Sequence, residues 1–144
     1  MLVADVLRHK GTAVTTVSPS ASLAEIATVL SRQRIGAVVV SGDGTTPDGI
    51  LSERDIVRHL ADHGGDALHA EARSVMSPDP MTCAPGDSIE LVMETMTNSR
   101  NRHLPVMVDG RLAGIVSIGD AVARRVAELE TERSQLHDYI ATGR

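Results

Sequence analysis

The chain has 144 residues and a formal net charge of −5, which fits one compact body or two tightly packed half-domains. The negative charge argues against a nucleic-acid partner, because binding to phosphates needs a basic surface. Phe and Trp are absent and only one Tyr is present, so the core must be aliphatic and the aromatic platforms that stack on bases are missing.

The first half of the chain alternates strand and helix patterns. A β-branched run predicts a short strand over residues 13–17, and Ser22-x-x-Glu25 is a capping box that opens a helix with one apolar face. The apolar residues 37–40 predict a buried strand. Turn residues follow, then a strand at residues 50–51 and a second helix that begins near Arg54.

The second half of the chain follows the same order. Its patterns predict a strand near residues 81–83, a helix over 89–97, a strand over 104–108, a tight turn at Asp109-Gly110, a strand over 112–116 and a helix from Gly119. A strand–helix–strand crossover makes its two strands parallel, and the turn after it adds an antiparallel partner. Each half is therefore predicted to be one β-α-β-β-α unit.

Three sequence segments occur twice and in the same order, which indicates an internal duplication. The paired segments are residues 19–23 and 85–89, residues 34–40 and 102–108, and residues 49–55 and 114–120. One unit leaves a sheet face bare, so two units can cover each other sheet to sheet. We predict an α/β (α+β) fold of two repeats related by a pseudo-twofold axis, with two related clefts. The predicted division is repeat 1 at residues 1–62, a connector at 63–73, repeat 2 at 74–127, and a C-terminal helix extension and tail at 128–144.

The last repeated segment places a serine and an aspartate at the end of a strand and the start of a helix, as Ser52 with Asp55 and as Ser117 with Asp120. A carboxylate in this place can accept hydrogen bonds from both hydroxyls of a ribose, worth about 1.5–3 kcal/mol each. The serine offers a hydroxyl, and the free N–H groups of the helix N-terminus can hold a phosphate. The alternative is that these residues only cap their helices.

The duplicated unit, in which Gly-x-x-Ser-x-x-Asp closes each last strand, resembles the cystathionine-β-synthase (CBS) domain pair, or Bateman module, over roughly residues 1–125. The strand that begins His103-Leu104-Pro105-Val106 adds to the resemblance. The resemblance implies a small stand-alone regulatory protein, without catalysis, that binds AMP, ADP, ATP or NAD(H) and senses energy or redox state. S-adenosylmethionine is an alternative ligand, and a ligand-free dimerisation module is an alternative function.

The two repeats differ in their basic residues, which predicts two unlike clefts. Arg54 can reach a phosphate beside Asp55, whereas the resemblance implies that Arg102 and His103 serve the other cleft; both arginines could also be solvated surface charges. Thr16 and Thr82 match positions that often contact ligand in the family, with packing as the alternative. The predicted ligand-binding residues are Thr16, Gly36, Ala37, Ser52, Arg54, Asp55, Thr82, Arg102, His103, Pro105, Ser117 and Asp120.

Other chemistry has weaker support in the sequence. Residues 114–119 are not a nucleophile elbow, because Ser117 stands one place too late. His59, His63 and His69 have a spacing that could hold a metal, but no cysteine or convincing carboxylate cluster joins them. We therefore predict no metal and no catalytic residue. A small nucleotide-processing enzyme that uses Asp55 or Asp120 is the contrasting alternative.

The C-terminal segment predicts an extended helix with an apolar seam. Nothing breaks a helix between residues 120 and 141, and Val122, Leu129 and Leu136 recur every seventh residue. Val126, Arg133 and Ile140 interleave with them, as in a coiled coil. This seam predicts a homodimer, although the helix could instead lie on its own domain.

The expected location is the cytoplasm. Cys83 is the only cysteine, so no internal disulfide can form, which fits a reducing compartment. No apolar run approaches the length needed to span a membrane, and the N-terminus lacks the pattern of a signal peptide.

Overall fold

The computed structural model describes residues 1–143, in which helices and short strands alternate in two related halves. The helices are α1 Val3–Lys10, α2 Leu23–Gln33, α3 Glu53–His63, α4 Ala72–Val75, α5 Ile89–Ser99 and α6 Ile118–Thr142, with a 3₁₀ turn at Gly64–His69. The strands are β1 Thr16–Val17, β2 Ala37–Val40, β3 Gly49–Ser52, β4 Ser77–Pro78, β5 His103–Val108 and β6 Arg111–Ser117. The predicted mixed α/β fold with an extended C-terminal helix is confirmed.

The strands form two small sheets, one in each half. In the first sheet the order is β1-β2-β3-β4, with β1 parallel to β2 and the other neighbours antiparallel. The second sheet contains the antiparallel pair β5 and β6. The strand predicted near residues 81–83 is reduced to one parallel bridge between Cys83 and Val106. Pro80 and Pro85 flank this bridge and cannot donate to a ladder, which limits its length.

Serine caps fix where the main helices begin. Ser22 accepts a hydrogen bond from the N–H of Glu25 at 3.2 Å, and the Glu25 carboxylate accepts from the N–H of Ser22 at 3.4 Å. The same reciprocal capping box opens α3 and α6. Ser88 caps α5 through the N–H of Leu91. Because these signals are local, the sequence predicts these four helix starts to within about two residues.

Each repeat is preceded by a helix that packs into the core of the other repeat. The helix α1 was not predicted, and its residues were expected to belong to repeat 1, but it contributes Val3, Val6 and Leu7 to the apolar core formed by α5, β5 and β6. Conversely, α4 places Ala72 in the core formed by α2, β2 and β3. Part of the predicted connector therefore belongs to a core, and the two halves are tied together by exchanged segments.

Two glycines make room for the exchanged segments. A Cβ atom at Gly49 would lie 2.6 Å from the Met76 sulfur, and one at Gly114 would lie 2.8 Å from a methyl of Leu7. Both distances are too short for a side chain, so the backbone of β3 and of β6 can approach its neighbour only at glycine. This close approach explains why both repeats carry a glycine before their serine and aspartate.

The last helix runs on past the second repeat. It ends where Gly143 adopts a left-handed conformation with φ of 69° and caps the helix. The predicted extension, residues 128–144, is thus helical through Thr142, and Arg144 lies outside the described residues. Within residues 1–143, no helix is both long enough and apolar enough to cross a membrane.

Candidate functional site

A cavity of about 460 Å³ lies where the two repeats meet. It is lined by the start of α3, by the segment that contains β4, by the residues before β5 and by the start of α6. These lining residues include Ser52, Glu53, Arg54, Asp55 and Arg58; residues 77–81; Arg100, Asn101, Arg102 and His103; and Ser117, Ile118 and Gly119. Both repeats therefore contribute to one cavity.

The start of α3 brings a serine and a carboxylate to the cavity. Asp55 Oδ2 accepts hydrogen bonds from the N–H of Ser52 at 2.8 Å and from the Ser52 hydroxyl at 3.1 Å. Among the described residues, no hydrogen bond is found to the second carboxylate oxygen of Asp55. Asp55 thus caps its helix with one oxygen, which leaves the other for a ligand. The two roles that the sequence analysis set against each other are compatible.

Four arginines line the same cavity as this carboxylate. Arg54 and Arg58 come from successive turns of α3, while Arg100 and Arg102 come from the loop before β5. They collect in one cavity of a chain whose formal net charge is −5. The lining also carries the carboxylates of Glu53, Asp55 and Asp79, so the four arginines leave it a small excess of positive charge. This excess favours an anionic group such as a phosphate, which arginine can bind through two hydrogen bonds.

His103 lies at the junction of the repeats, beside the start of β2. A Cβ atom on Gly36 would be 3.5 Å from His103 Nε2, an ordinary van der Waals contact, so the imidazole packs directly beside the backbone of Gly36. Burial, with the positive charge of Lys10, lowers the pKa of His103, against the opposing effect of Asp120 and Glu53. The imidazole is therefore mainly neutral at neutral pH and can either donate or accept one hydrogen bond.

The equivalent carboxylate in the second repeat has a different environment. Asp120 Oδ2 accepts a hydrogen bond from the N–H of Ser117 at 2.9 Å and forms an ion pair with Lys10 Nζ at 2.7 Å. Lys10 also donates to the carbonyl of Ile115 at 3.0 Å. Burial opposes ionisation of Asp120, but the hydrogen bonds from Lys10 and Ser117 outweigh it and lower the pKa of this carboxyl. Asp120 does not line the cavity.

The structure brings seven of the predicted residues together at the cavity: Gly36, Ser52, Arg54, Asp55, Arg102, His103 and Ser117. The other five lie elsewhere. Ala37 and Pro105 are buried in β2 and β5, while Thr16 and Thr82 are exposed outside the cavity lining. The fifth, Asp120, is held by its ion pair.

The distribution of basic residues differs from the sequence interpretation, which placed Arg102 and His103 in a separate cleft. They line the same cavity as Asp55, because the loop before β5 reaches the start of α3 across the junction. Arg58 and Arg100 also line the cavity but were not predicted. Arg58 carries a readable signal, since it lies one helical turn after Arg54 and shares its face. Arg100 depends on contacts between repeats and has no such signal.

Other reactive groups lie apart from the cavity. No cluster of three or more His, Cys, Asp and Glu side chains suited to a metal occurs within the described part of the chain. The rings of His59 and His63 pack against each other with centroids 4.2 Å apart. Burial, with the nearby charge of Asp87, raises the pKa of the Cys83 thiol to about 12, so this thiol stays protonated and is a poor nucleophile.

The two repeats match the model of a known protein family. The chain matches the family model of the CBS domain over residues 3–62 and 72–126. It is 32% identical over 118 residues to the mitochondrial CBS domain-containing protein CBSX3 of Arabidopsis thaliana. The match covers 79% of this chain and 57% of the length of that relative.

Solved structures agree in fold over most of the chain. The CBS-domain containing protein ATU1752 from Agrobacterium tumefaciens superposes with a TM-score of 0.84 at 42% identity, covering 87% of this chain and 99% of that one. The CBS domain protein PAE2072 from Pyrobaculum aerophilum, solved in complex with AMP, has a TM-score of 0.73 at 27% identity and covers 83% of this chain and 89% of that one. With two repeats matched in order and the same fold, the chain belongs to the CBS domain family.

Proposed function

We propose that the protein is a regulatory module that binds an adenine nucleotide in the cavity at Asp55 and catalyses no reaction. The observation that carries this proposal is the joint presence of a carboxylate with a free oxygen and four arginines in one cavity of about 460 Å³. AMP, ADP, ATP and NAD(H) share the ribose and phosphate that such a set can bind. The AMP complex of the Pyrobaculum relative supports this ligand class.

Each part of a nucleotide has a partner in the cavity. The free oxygen of Asp55 can accept the ribose hydroxyls, and the arginines can hold the phosphates. Apolar side chains at Ile50 and Met81 line the same space and suit the adenine ring, which needs apolar contact and a few hydrogen bonds. Because both repeats contribute, a bound nucleotide would link them, and this linkage is how a bound state can be signalled to a partner.

Titration calorimetry with AMP, ADP, ATP, NAD⁺, NADH and S-adenosylmethionine tests the proposal. We expect saturable binding of at least one adenine nucleotide, weakened about tenfold or more by Arg54→Ala, because a charge-assisted contact is worth about 1.5–3 kcal/mol. Arg32→Ala is the matched control, since Arg32 is exposed on α2 outside the cavity. Absence of binding would favour a purely structural dimerisation module, and turnover of a bound nucleotide would favour an enzyme.

We also propose a homodimer formed through α6. The large apolar side chains along its seam are exposed, by 42% at Val122 and by 68% at Ile140. The seam is apolar at five of its six positions, with Arg133 as the exception. A second copy of this chain presents the same apolar seam on the same long helix, which favours it as the occupant.

Sedimentation of α6 variants tests the homodimer. Leu129→Glu with Leu136→Glu, or truncation after Arg125, should shift the protein toward monomer because charges replace apolar burial at the seam. The exposed change Glu130→Gln, outside the seam, is a milder control. An unchanged dimer in both disruptive variants would show that α6 has another role.

We also propose a cytoplasmic location, which the free thiol of Cys83 supports.

A further inference from the structure

The two repeats do not offer equal sites, although their serine and aspartate are equivalent. In the first repeat the helix that follows the serine carries Arg54 and Arg58, and both line the cavity. At the equivalent positions of α6 the chain has Gly119 and Ala123. The second repeat therefore lacks, on its helix, both cations that would hold a phosphate beside its carboxylate.

The second carboxylate is also already bound to a side chain. Lys10, in the last turn of α1, pairs with Asp120 at 2.7 Å and donates to the carbonyl of Ile115 at 3.0 Å. The side chains of Lys10 and Asp120 are only 31% and 25% exposed, so the pair is partly shielded from water. The exchange of α1 into the second core fixes the position of Lys10. By contrast, the carboxylate of Asp55 forms no ion pair among the described residues.

We propose that each chain binds one adenine nucleotide, at Asp55, and that Lys10 is the residue that excludes nucleotide from Asp120. Lys10 Nζ lies beside Oδ2 of this carboxylate, the oxygen that also accepts the N–H of Ser117, and its charge balances that of the carboxylate. A ligand at the second repeat would have to break a partly buried ion pair and would gain no helix-borne cation in return. The inference rests on the proposed function and adds to it the stoichiometry and the residue that sets it.

Titration of AMP into three forms of the full chain tests the stoichiometry. We expect one nucleotide per chain for the wild type, a tenfold to hundredfold loss of affinity for Asp55→Asn, and wild-type affinity and stoichiometry for Asp120→Asn. Two nucleotides per chain, with one lost in Asp120→Asn, would overturn the inference. A wild-type chain that binds no adenine compound would instead overturn the proposed function and, with it, this inference.

A gain-of-site variant tests the role of Lys10 directly. The triple variant is Lys10→Met/Gly119→Arg/Ala123→Arg. The first change removes the ion pair of Asp120, and the other two place arginines where the first repeat has Arg54 and Arg58. The backbone accommodates these changes, because a Cβ atom at Gly119 meets only the Ser117 hydroxyl at 3.6 Å and Ala123 is exposed. We expect two nucleotides per chain.

The matched control retains the lysine. Gly119→Arg/Ala123→Arg should still bind one nucleotide, because Lys10 continues to hold Asp120. Thermal unfolding in the absence of ligand verifies that both variants are folded. A second site in the control, or only one site in the folded triple variant, would show that Lys10 does not exclude the nucleotide.

Discussion

Replacement of Asp55 by asparagine separates helix capping from ligand binding. The wild-type carboxylate accepts the N–H of Ser52 at 2.8 Å through Oδ2, while no hydrogen bond to its other oxygen is found among the described residues. An asparagine keeps one oxygen for the cap and places an amide where the second oxygen was. The variant should therefore retain the helix start and lose the charged acceptor for the ribose.

The expected loss of nucleotide affinity follows from the number of hydrogen bonds that the substitution removes. One charge-assisted hydrogen bond is worth about 1.5–3 kcal/mol, so its loss should weaken nucleotide binding roughly tenfold to a hundredfold. The free energy of unfolding without ligand should change by less than about 1 kcal/mol, because asparagine can still accept the capping hydrogen bond.

Calorimetry measures the change in affinity, and thermal unfolding without ligand measures the change in stability. Asp62→Asn is the matched control, since it removes the same charge from an exposed position of the same helix. Equal affinity in Asp55→Asn and wild type would refute the reasoning and reduce Asp55 to a helix cap. A large loss of stability in the ligand-free variant would show that the cap needs the charge.

Three further predictions concern packing and charge. Gly49→Ala should lower the free energy of unfolding by about 1–3 kcal/mol in denaturant titrations, because the new methyl would meet Met76 at 2.6 Å; an unchanged midpoint would contradict this. Leu104→Ala should lower it by about 2–5 kcal/mol, since Leu104 is fully buried, and a smaller loss would show that the core collapses around the gap. Lys10→Met should destabilise the protein by about 1–3 kcal/mol at neutral pH, because it leaves the partly buried Asp120 carboxylate without its charged partner. The lowered pKa of Asp120 means that this pair stabilises the fold above the ordinary carboxyl pKa, so the difference from wild type should shrink as the pH falls below 3.8 and should not grow.

The repeats and most of the helices could be predicted from the sequence because their signals are local. The capping box at Ser22 and Glu25 spans four consecutive residues, and its hydrogen bonds form as the pattern indicates. The helix α1 was missed although Val3, Val6 and Leu7 have helical spacing. Its apolar face packs on the other repeat, and no neighbouring strand or cap marks its start, since Leu2 provides no side-chain cap.

The residues of the candidate site that belong to the repeated serine and aspartate motif could be predicted from the sequence. The contacts between segments that lie far apart in the sequence could not. The repeated motif pointed to Ser52 and Asp55, which line the cavity. Lys10 and Asp120 are 110 residues apart, so no local pattern could reveal their ion pair. The same reason explains why Arg102 was assigned to a separate cleft, since its place in the cavity depends on how the repeats pack.

Mass spectrometry of small molecules released from the gently purified protein tests the central claim most directly. The account predicts an adenine nucleotide that is released from the wild type on denaturation and is absent or strongly reduced in Asp55→Asn. It also predicts a gain in thermal stability when that nucleotide is added back to the stripped wild type. Release of no adenine compound, together with no stabilisation by AMP, ADP, ATP, NAD(H) or S-adenosylmethionine, would contradict the account.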